Sequence, residues 1–200
     1  MATGPTTMTR PHDLSDADRD LLLDLAEVSV RSCLRGTRYP GPDLTRLSAR
    51  LLEPCGAFVV VRIGDDVFGC AGQLTGGPVG SCIPELARQA AFDAHTGRSI
   101  TDDDLSAVSL EVSLLESRRA VPATSRAELL HHLDPPTCGL AITAGEHHAV
   151  LLASVWELRP DADDFLDTAM RRAGLRPNRR WPDSMTAELI TTTDFARSLA

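Results

Sequence analysis

The segment that most constrains the fold is residues 58–92, "FVVVRIGDDVFGCAGQLTGGPVGSCIPELARQAAF". Its apolar, β-branched beginning is typical of a buried strand, and the Gly-Asp-Asp that follows is typical of a tight turn. The chain returns through "VFGCAG" and then enters the glycine-rich loop "TGGPVGS". Ser81 is a suitable N-cap for a helix that we expect to run to about Ala94. The segment therefore predicts a β-hairpin followed by a helix.

The rest of the sequence predicts helices and strands in an irregular order. A helix is expected from Ser15 to Gly36, a second hairpin turns at residues 144–146, and "TAELITTT" is a final strand. In "VSLEVSLLE" the residues alternate between two faces: Val108, Leu110, Val112 and Leu114 on one, and Ser109, Glu111, Ser113 and Leu115 on the other. Because no regular βαβ spacing is present, the sequence predicts an α+β fold rather than a doubly wound parallel sheet.

Charge and composition exclude several classes of function. The chain has 200 residues, 42% of them hydrophobic, which is typical of one globular domain. A formal net charge of −8 argues against a nucleic-acid-binding surface, which needs clustered cations. All 20 basic residues are arginines. A Schiff-base lysine and a P-loop lysine are therefore excluded.

Cysteine usage and the N-terminus indicate the compartment. Five cysteines without a CxxC pair predict neither a disulfide framework nor a structural zinc site. The first 13 residues, "MATGPTTMTRPHD", lack an apolar core and are predicted to be a disordered arm. No apolar window approaches 18 residues, so no membrane span is expected. We expect a soluble, cytoplasmic protein with no metal and no cofactor.

Cys70 is the residue with the clearest chemical potential. It stands in a Gly-Cys-X-Gly segment, where glycines allow another molecule to approach the backbone closely. A reactive thiol needs a lowered pKa, which the helix expected after Ser81 would favour if the loop folds back. The alternative is that Cys70 is a small packing residue, since free cysteine is among the most buried residue types. The residues alone leave both interpretations open.

Candidate partners for the thiol are spread along the chain. His147 and His148 are adjacent in a predicted strand, so they point to opposite faces and at most one can join a site. The candidate catalytic residues are Cys70, Glu111 and His148. The candidate binding residues are Phe68, Gly69 and Gly72.

Between about residue 20 and about residue 192 the chain contains, in this order, the segments "LLEPCGAFVVVRIGDDVFGCAG", "ELARQAAFDA", "ITDDDLSAVSLEVSLLE", "CGLAIT", "DDFLDTAMRRAGL" and "AELITTT". This order of segments resembles the AMMECR family, the protein A component of the AmmeMemoRadiSam group. The signature of that family is Leu-Arg-Gly-Cys-Ile-Gly, and here residues 67–72 read "VFGCAG". The Gly-Cys-X-Gly core is kept, while Phe68 replaces the arginine. The chain also has "DAHTGR" in place of Asp-Pro-Arg-Phe and "LLAS" in place of Leu-Leu-Pro-Gln.

The resemblance implies an antiparallel sheet flanked by helices, with a smaller second lobe, within a single domain over residues 14–195. It also implies a cleft between the lobes, lined by the Gly-Cys-X-Gly segment. Two functions follow as expectations. The first is an enzyme that uses Cys70 on a small molecule, with Glu111 or a histidine as acid–base partner. The second is a noncatalytic adaptor whose glycine-rich segment receives a metabolite or a protein, with Memo-like and radical-SAM proteins as partners from the family's context. Neither nucleic acid nor a membrane is an expected partner.

Overall fold

A computed structural model describes residues 14–93, 98–177 and 179–200. The predicted N-terminal arm, residues 1–13, lies outside the described residues. The α-helices are α1 (Asp16–Leu34), α2 (Val79–Phe92), α3 (Arg126–His132) and α4 (Ala162–Arg172). The strands are β1 (Ala57–Ile63), β2 (Asp66–Gln73), β3 (Val108–Val121), β4 (Gly139–Ala144), β5 (His147–Leu151) and β6 (Met185–Ser198). Short 3₁₀ turns span Leu44–Arg46, Ala49–Leu52, Asp102–Ala107 and Ala153–Glu157.

The strands hydrogen-bond in the order β2-β1-β3-β6-β4-β5. The pairs β1–β2, β1–β3, β4–β5 and β4–β6 are antiparallel. This arrangement confirms the predicted α+β class with an antiparallel sheet and helices. The described part of the chain divides into two compact units, one of the described residues up to 115 together with 193–200, and the other of the described residues in 116–192.

In the first unit, α1 forms because its ends are capped and one face is apolar. The Ser15 hydroxyl accepts a hydrogen bond from the Asp18 backbone N–H, and the Asp18 carboxylate accepts one from the Ser15 N–H, which completes a capping box. At the other end Gly36 has φ +65° and its N–H donates to the Cys33 carbonyl. The predicted helix from Ser15 to Gly36 is confirmed, and Val28 lies on its exposed side.

The predicted first hairpin is also confirmed. Gly64 at its turn has φ +59°, a conformation that glycine adopts without strain. The side chains of Val59 and Val61 join the buried core that α1 and α2 share, whereas Phe58 and Val60 lie on the opposite face of the sheet. The register of the hairpin shifts between Val61 and Arg62, which marks a β-bulge.

Helix α2 begins two residues before the predicted start at Ser81, and the expected Ser81 cap is wrong. Pro78 is the N-cap and makes no side-chain hydrogen bond, while the Ser81 N–H donates to the Pro78 carbonyl. Backbone contacts distant in sequence set this start, since Val79 N–H donates to the Glu53 carbonyl. Sequence signals for a cap are local and do not record such a contact.

The second unit contains its own core around α4. The rings of Trp156 and Phe165 stack with centroids 3.7 Å apart, and the Trp156 indole N–H donates to the Cys138 carbonyl at 2.7 Å. The predicted hairpin turns at Gly145, with φ +65°. Acidic residues lie in the first turn of α4 and arginines in the last, an arrangement that the helix dipole favours.

None of the helices in the described ranges combines the length and apolar character needed to cross a membrane.

Candidate functional site

The candidate site is built on the middle of β2, where Cys70 lies. All five cysteines fall within the described residues, and Cys70 is the one with an exposed side chain. Cys33, Cys55 and Cys82 are half-buried and Cys138 is buried. Within the sheet of the described residues β2 is a terminal strand, so a molecule approaching the sheet edge meets Cys70 before it meets β1.

Strand register places Cys70 and Glu111 on one face of the sheet. Val60 on β1 pairs with Cys70 on one side and with Glu111 on the other. Directly paired residues of antiparallel strands point to the same face. Two interstrand spacings separate the Cα atoms of Cys70 and Glu111 by about 9–10 Å. Val60, between them, is only 4% exposed, so a ligand reaches Cys70 from the edge of the sheet rather than across Val60.

An ion pair accompanies Glu111 on this face. Arg62 Nε donates to Glu111 Oε2 at 3.3 Å, and the two side chains are 20% and 15% exposed. Arg62 follows Val60 by two positions on β1, which places it on the face of Cys70. Arg62 was not among the predicted site residues. The alternation of β1 indicates which face of the strand Arg62 occupies, but it does not indicate that Glu111 is its partner.

Packing against Phe58 explains why glycine occupies position 72. A Cβ atom built on Gly72 would lie 1.9 Å from Cδ1 of the Phe58 ring. The ring of Phe58 therefore lies directly over the glycine, and the ring itself is 5% exposed. The expected role of Gly72 in ligand approach stays a prediction.

Phe68 and Gly69 occupy the bulge. The register passes from Val61–Gly69 to Arg62–Val67, so Phe68 is the extra residue. Its ring packs against the core shared by α1 and α2, and the Arg98 guanidinium lies 5.8 Å from its centroid. Gly69 is buried. Phe68 thus lies on the helix side of the sheet, and its role in binding remains a prediction.

The third predicted catalytic residue, His148, lies in the second unit. It is exposed on β5, where it pairs with Thr143, and its Nδ1 lies 3.4 Å from the Glu146 carbonyl oxygen. The neighbouring His147 contacts the Ala173 carbonyl through Nδ1 at 2.9 Å. The site assembled on the first unit therefore consists of Cys70, Glu111 and Arg62, and the catalytic role of His148 stays a prediction.

Two other thiols are poorly suited to nucleophilic chemistry. Burial raises the pKa of Cys55, and burial likewise raises the pKa of Cys138. A raised pKa keeps a thiol protonated at neutral pH, and the protonated form is the weaker nucleophile. In the described part of the chain, no cluster of His, Cys, Asp and Glu side chains is arranged to hold a metal ion.

Comparison with known proteins identifies the relatives of this chain. The AMMECR1 family model matches residues 23–195. Among solved structures, the uncharacterized protein PH0010 from Pyrococcus horikoshii has the same fold, with a TM-score of 0.80 and 21% sequence identity. The match covers 92% of this chain and 93% of that one. No curated protein matches.

Proposed function

The chain belongs to the AMMECR1 family, and on that premise we propose that it is an enzyme that acts on a small molecule through the Cys70 thiol. The observation that carries the proposal is the exposure of Cys70, because the other four cysteines are at least half-buried. The Arg62–Glu111 ion pair on the same face of the sheet adds support. An exposed thiol near fixed charges is an arrangement that nucleophilic catalysis uses.

The chemistry is an attack of sulfur on an electrophilic carbon. The Cys70 thiolate forms an S–C bond to a carbonyl carbon, and the π electrons of the C=O bond move to the oxygen. Collapse of this intermediate expels the leaving group, and water then hydrolyses the thioester and restores the thiol. Glu111 is the acid–base group of this proposal; because about 9–10 Å separates its Cα from that of Cys70, it exchanges a proton with the substrate and not with the thiol itself. Arg62 offers a positive charge to an anionic substrate group.

Alkylation of the native protein tests the proposal directly. Iodoacetamide is applied between pH 5.5 and 9.5, and the modified cysteines are identified by mass spectrometry. We expect Cys70 to be modified first in the native protein, ahead of the half-buried and buried cysteines. The Cys82→Ser variant, which removes a half-buried thiol, should leave the profile unchanged. If Cys70 reacts only after denaturation, the thiol is structural and the proposal is wrong.

Acyl transfer provides a second readout. With p-nitrophenyl acetate as the probe, Cys70 would take the acetyl group and release p-nitrophenolate. A Cys70→Ser variant that keeps wild-type circular dichroism and melting temperature should lose at least 90% of this release. Loss in Cys82→Ser to the same extent would contradict a specific role for Cys70.

A noncatalytic adaptor is the second candidate. The observation that favours it is the position of β2 at the end of the sheet, with Val67 40% exposed beside the motif. Extended segments of a partner can pair with such a terminal strand. A purified Memo-like protein, titrated calorimetrically, should then bind wild type and Cys70→Ala equally, while Val67→Asp weakens binding. Equal binding by all three proteins would refute this use of β2.

A further inference from the structure

A cavity of about 410 Å³ lies in the first unit, away from the Cys70 site. It is lined by residues of α1, of α2 and of the loop that follows α1. Its size falls within the range of small-molecule sites, about 300–1,000 Å³. No lining residue belongs to β1, β2 or β3, so the cavity plays no part in the thiol chemistry proposed above.

The loop supplies rigid apolar walls. Tyr39, Pro40 and Pro42 line the cavity, and Pro84 from α2 lines it as well. Gly41, between the two loop prolines, has φ +94°, a conformation available to glycine but strained for other residues. Since proline fixes its own φ, the two prolines restrict the conformations of the loop, which reduces the entropy lost on binding.

Tyr39 adds a polar group to these walls. It is half-buried, and burial raises the pKa of its phenol. The phenol is therefore protonated at neutral pH and can donate a hydrogen bond. The Ser81 hydroxyl, from the first turn of α2, is a second possible donor in the lining.

The acidic residue of the cavity is already neutralised. Arg88 Nη2 and Nε donate to the two oxygens of Glu85 at 2.8 and 3.1 Å, and Gln89 Nε2 donates at 3.0 Å. The hydrogen bond from Arg88 lowers the pKa of Glu85, so this carboxylate is ionised at neutral pH. Glu85 thus has its charge and its oxygens engaged, and it offers little to a cationic ligand.

Arg38, by contrast, has no hydrogen bond or ion pair among the described residues. It lies near enough to Glu85 to lower the pKa of that carboxyl further, but outside ion-pair distance. Arg88 pairs with Asp93 at 2.9 Å as well as with Glu85, so its charge is engaged and Arg38 is the cation of the lining that is left for a ligand. A guanidinium presents several N–H donors in a planar fork that matches a carboxylate or a phosphate.

We propose that this cavity binds a small organic anion, with Arg38 contacting a carboxylate or phosphate and Tyr39 and the prolines contacting a ring or other apolar body. Arg38 repels a cation, and an uncharged ligand gains no ion pair with its guanidinium.

Isothermal titration calorimetry with two matched pairs of probes tests the inference. Adenosine 5′-monophosphate is compared with adenosine, and benzoate with benzyl alcohol, so that each pair differs in the anionic group. We expect at least one anion to bind with Kd below 1 mM, at least tenfold more tightly than its uncharged counterpart. If adenosine 5′-monophosphate is the anion that binds more tightly than its counterpart, the ligand carries a phosphate. If benzoate is that anion, the ligand carries a carboxylate.

Variants place the binding at the cavity. Arg38→Gln should weaken the preferred anion at least tenfold, while Tyr39→Phe should weaken it two- to fivefold. Arg35→Gln removes the same charge from an exposed position that does not line the cavity, and it should change Kd less than twofold. The inference is overturned if neither anion binds below 1 mM, or if Arg38→Gln and Arg35→Gln weaken binding equally. The Cys70 alkylation profile does not enter this test, so either proposal can fail alone.

Discussion

The most informative single perturbation is Gly72→Ala. Gly72 is the second glycine of the Gly-Cys-X-Gly segment, and its backbone does not lie in the left-handed region, so alanine is compatible with the backbone. The obstacle is the ring of Phe58, because the new Cβ would lie 1.9, 2.5 and 2.7 Å from Cδ1, Cγ and Cε1. Carbon atoms in contact normally lie about 3.5–4.0 Å apart. The ring must therefore move by more than 1 Å.

The expected loss of stability follows from how little free space surrounds the Phe58 ring. Phe58 is 5% exposed and enclosed on its face of the sheet. Overpacking a closed site destabilises by roughly 1–3 kcal/mol, and the severity of this overlap places it near the upper end, at about 3 kcal/mol. Replacing glycine in a strand interior regains about 0.5–1 kcal/mol. We expect Gly72→Ala to lower the free energy of unfolding by about 2 kcal/mol.

Urea denaturation, followed by circular dichroism at pH 7, measures this difference. Gly77→Ala is the matched control, because its new Cβ would approach only Cys82 Sγ, at 3.9 Å. That variant should stay within about 0.5 kcal/mol of wild type, as surface substitutions usually do. A Gly72→Ala protein as stable as Gly77→Ala would refute the reasoning.

A double mutant isolates the ring as the cause. Phe58→Ala removes all three atoms that the new Cβ would approach, and by itself it costs about 3–5 kcal/mol. Adding Gly72→Ala to Phe58→Ala should cost nothing further, so the two effects should be strongly non-additive. Simple addition would show that Gly72 is constrained by something other than Phe58. If Phe58→Ala does not fold, the comparison of Gly72→Ala with Gly77→Ala still shows whether a Cβ at position 72 destabilises the protein.

Three further predictions concern other parts of the chain. Hydrogen bonds from Thr101 lower the pKa of Asp104. The stability that the Asp104 carboxylate contributes is therefore present above pH about 3.9, the ordinary pKa of aspartate, and it is lost as the pH falls through the lowered pKa of the folded state. Urea titrations should therefore show Asp104→Asn less stable than Asp103→Asn at pH 7 and equally stable near pH 2. Phe165→Ala should lower the free energy of unfolding by about 3–5 kcal/mol in the same assay, because the ring is fully buried and stacked. Phe68→Arg, which restores the arginine of the family signature, should change the alkylation rate of Cys70 less than twofold at pH 7, and a change above fivefold would contradict the assigned faces.

Sequence patterns predicted those elements whose signals are local. The capping box at Ser15 and Asp18 lies within four residues, and the alternation over residues 108–112 lies within β3, so both could be predicted from the chain alone. From Ser113 to Leu115 the strand is buried on both faces, which the alternation did not indicate. The final strand was predicted too short, since "TAELITTT" ends at Thr193 while β6 continues to Ser198. Its last residues alternate between half-buried and exposed, and this weak apolar pattern gave no signal for the continued strand.

The parts of the site that could not be predicted depend on contacts between distant segments. Arg62 and Glu111 meet only because β1 and β3 pair in one particular register. The cavity at Arg38 needs α1, its following loop and α2 to come together. In both cases the residue types are ordinary, and only their placement gives them a chemical role.

The bulge at Phe68 turns the side chain at this position away from the face of Cys70. In an unbroken strand, residues 68 and 70 would point to the same face, and an arginine at 68 would stand beside the thiol. The extra residue at 68 instead turns that side chain toward the helix face, where an aromatic ring packs well against the core. Arg62 lies on the face of Cys70, because it follows Val60 by two positions on the adjacent strand, and there it is paired with Glu111. Arg62, rather than residue 68, is therefore the cation to test on the face of the thiol.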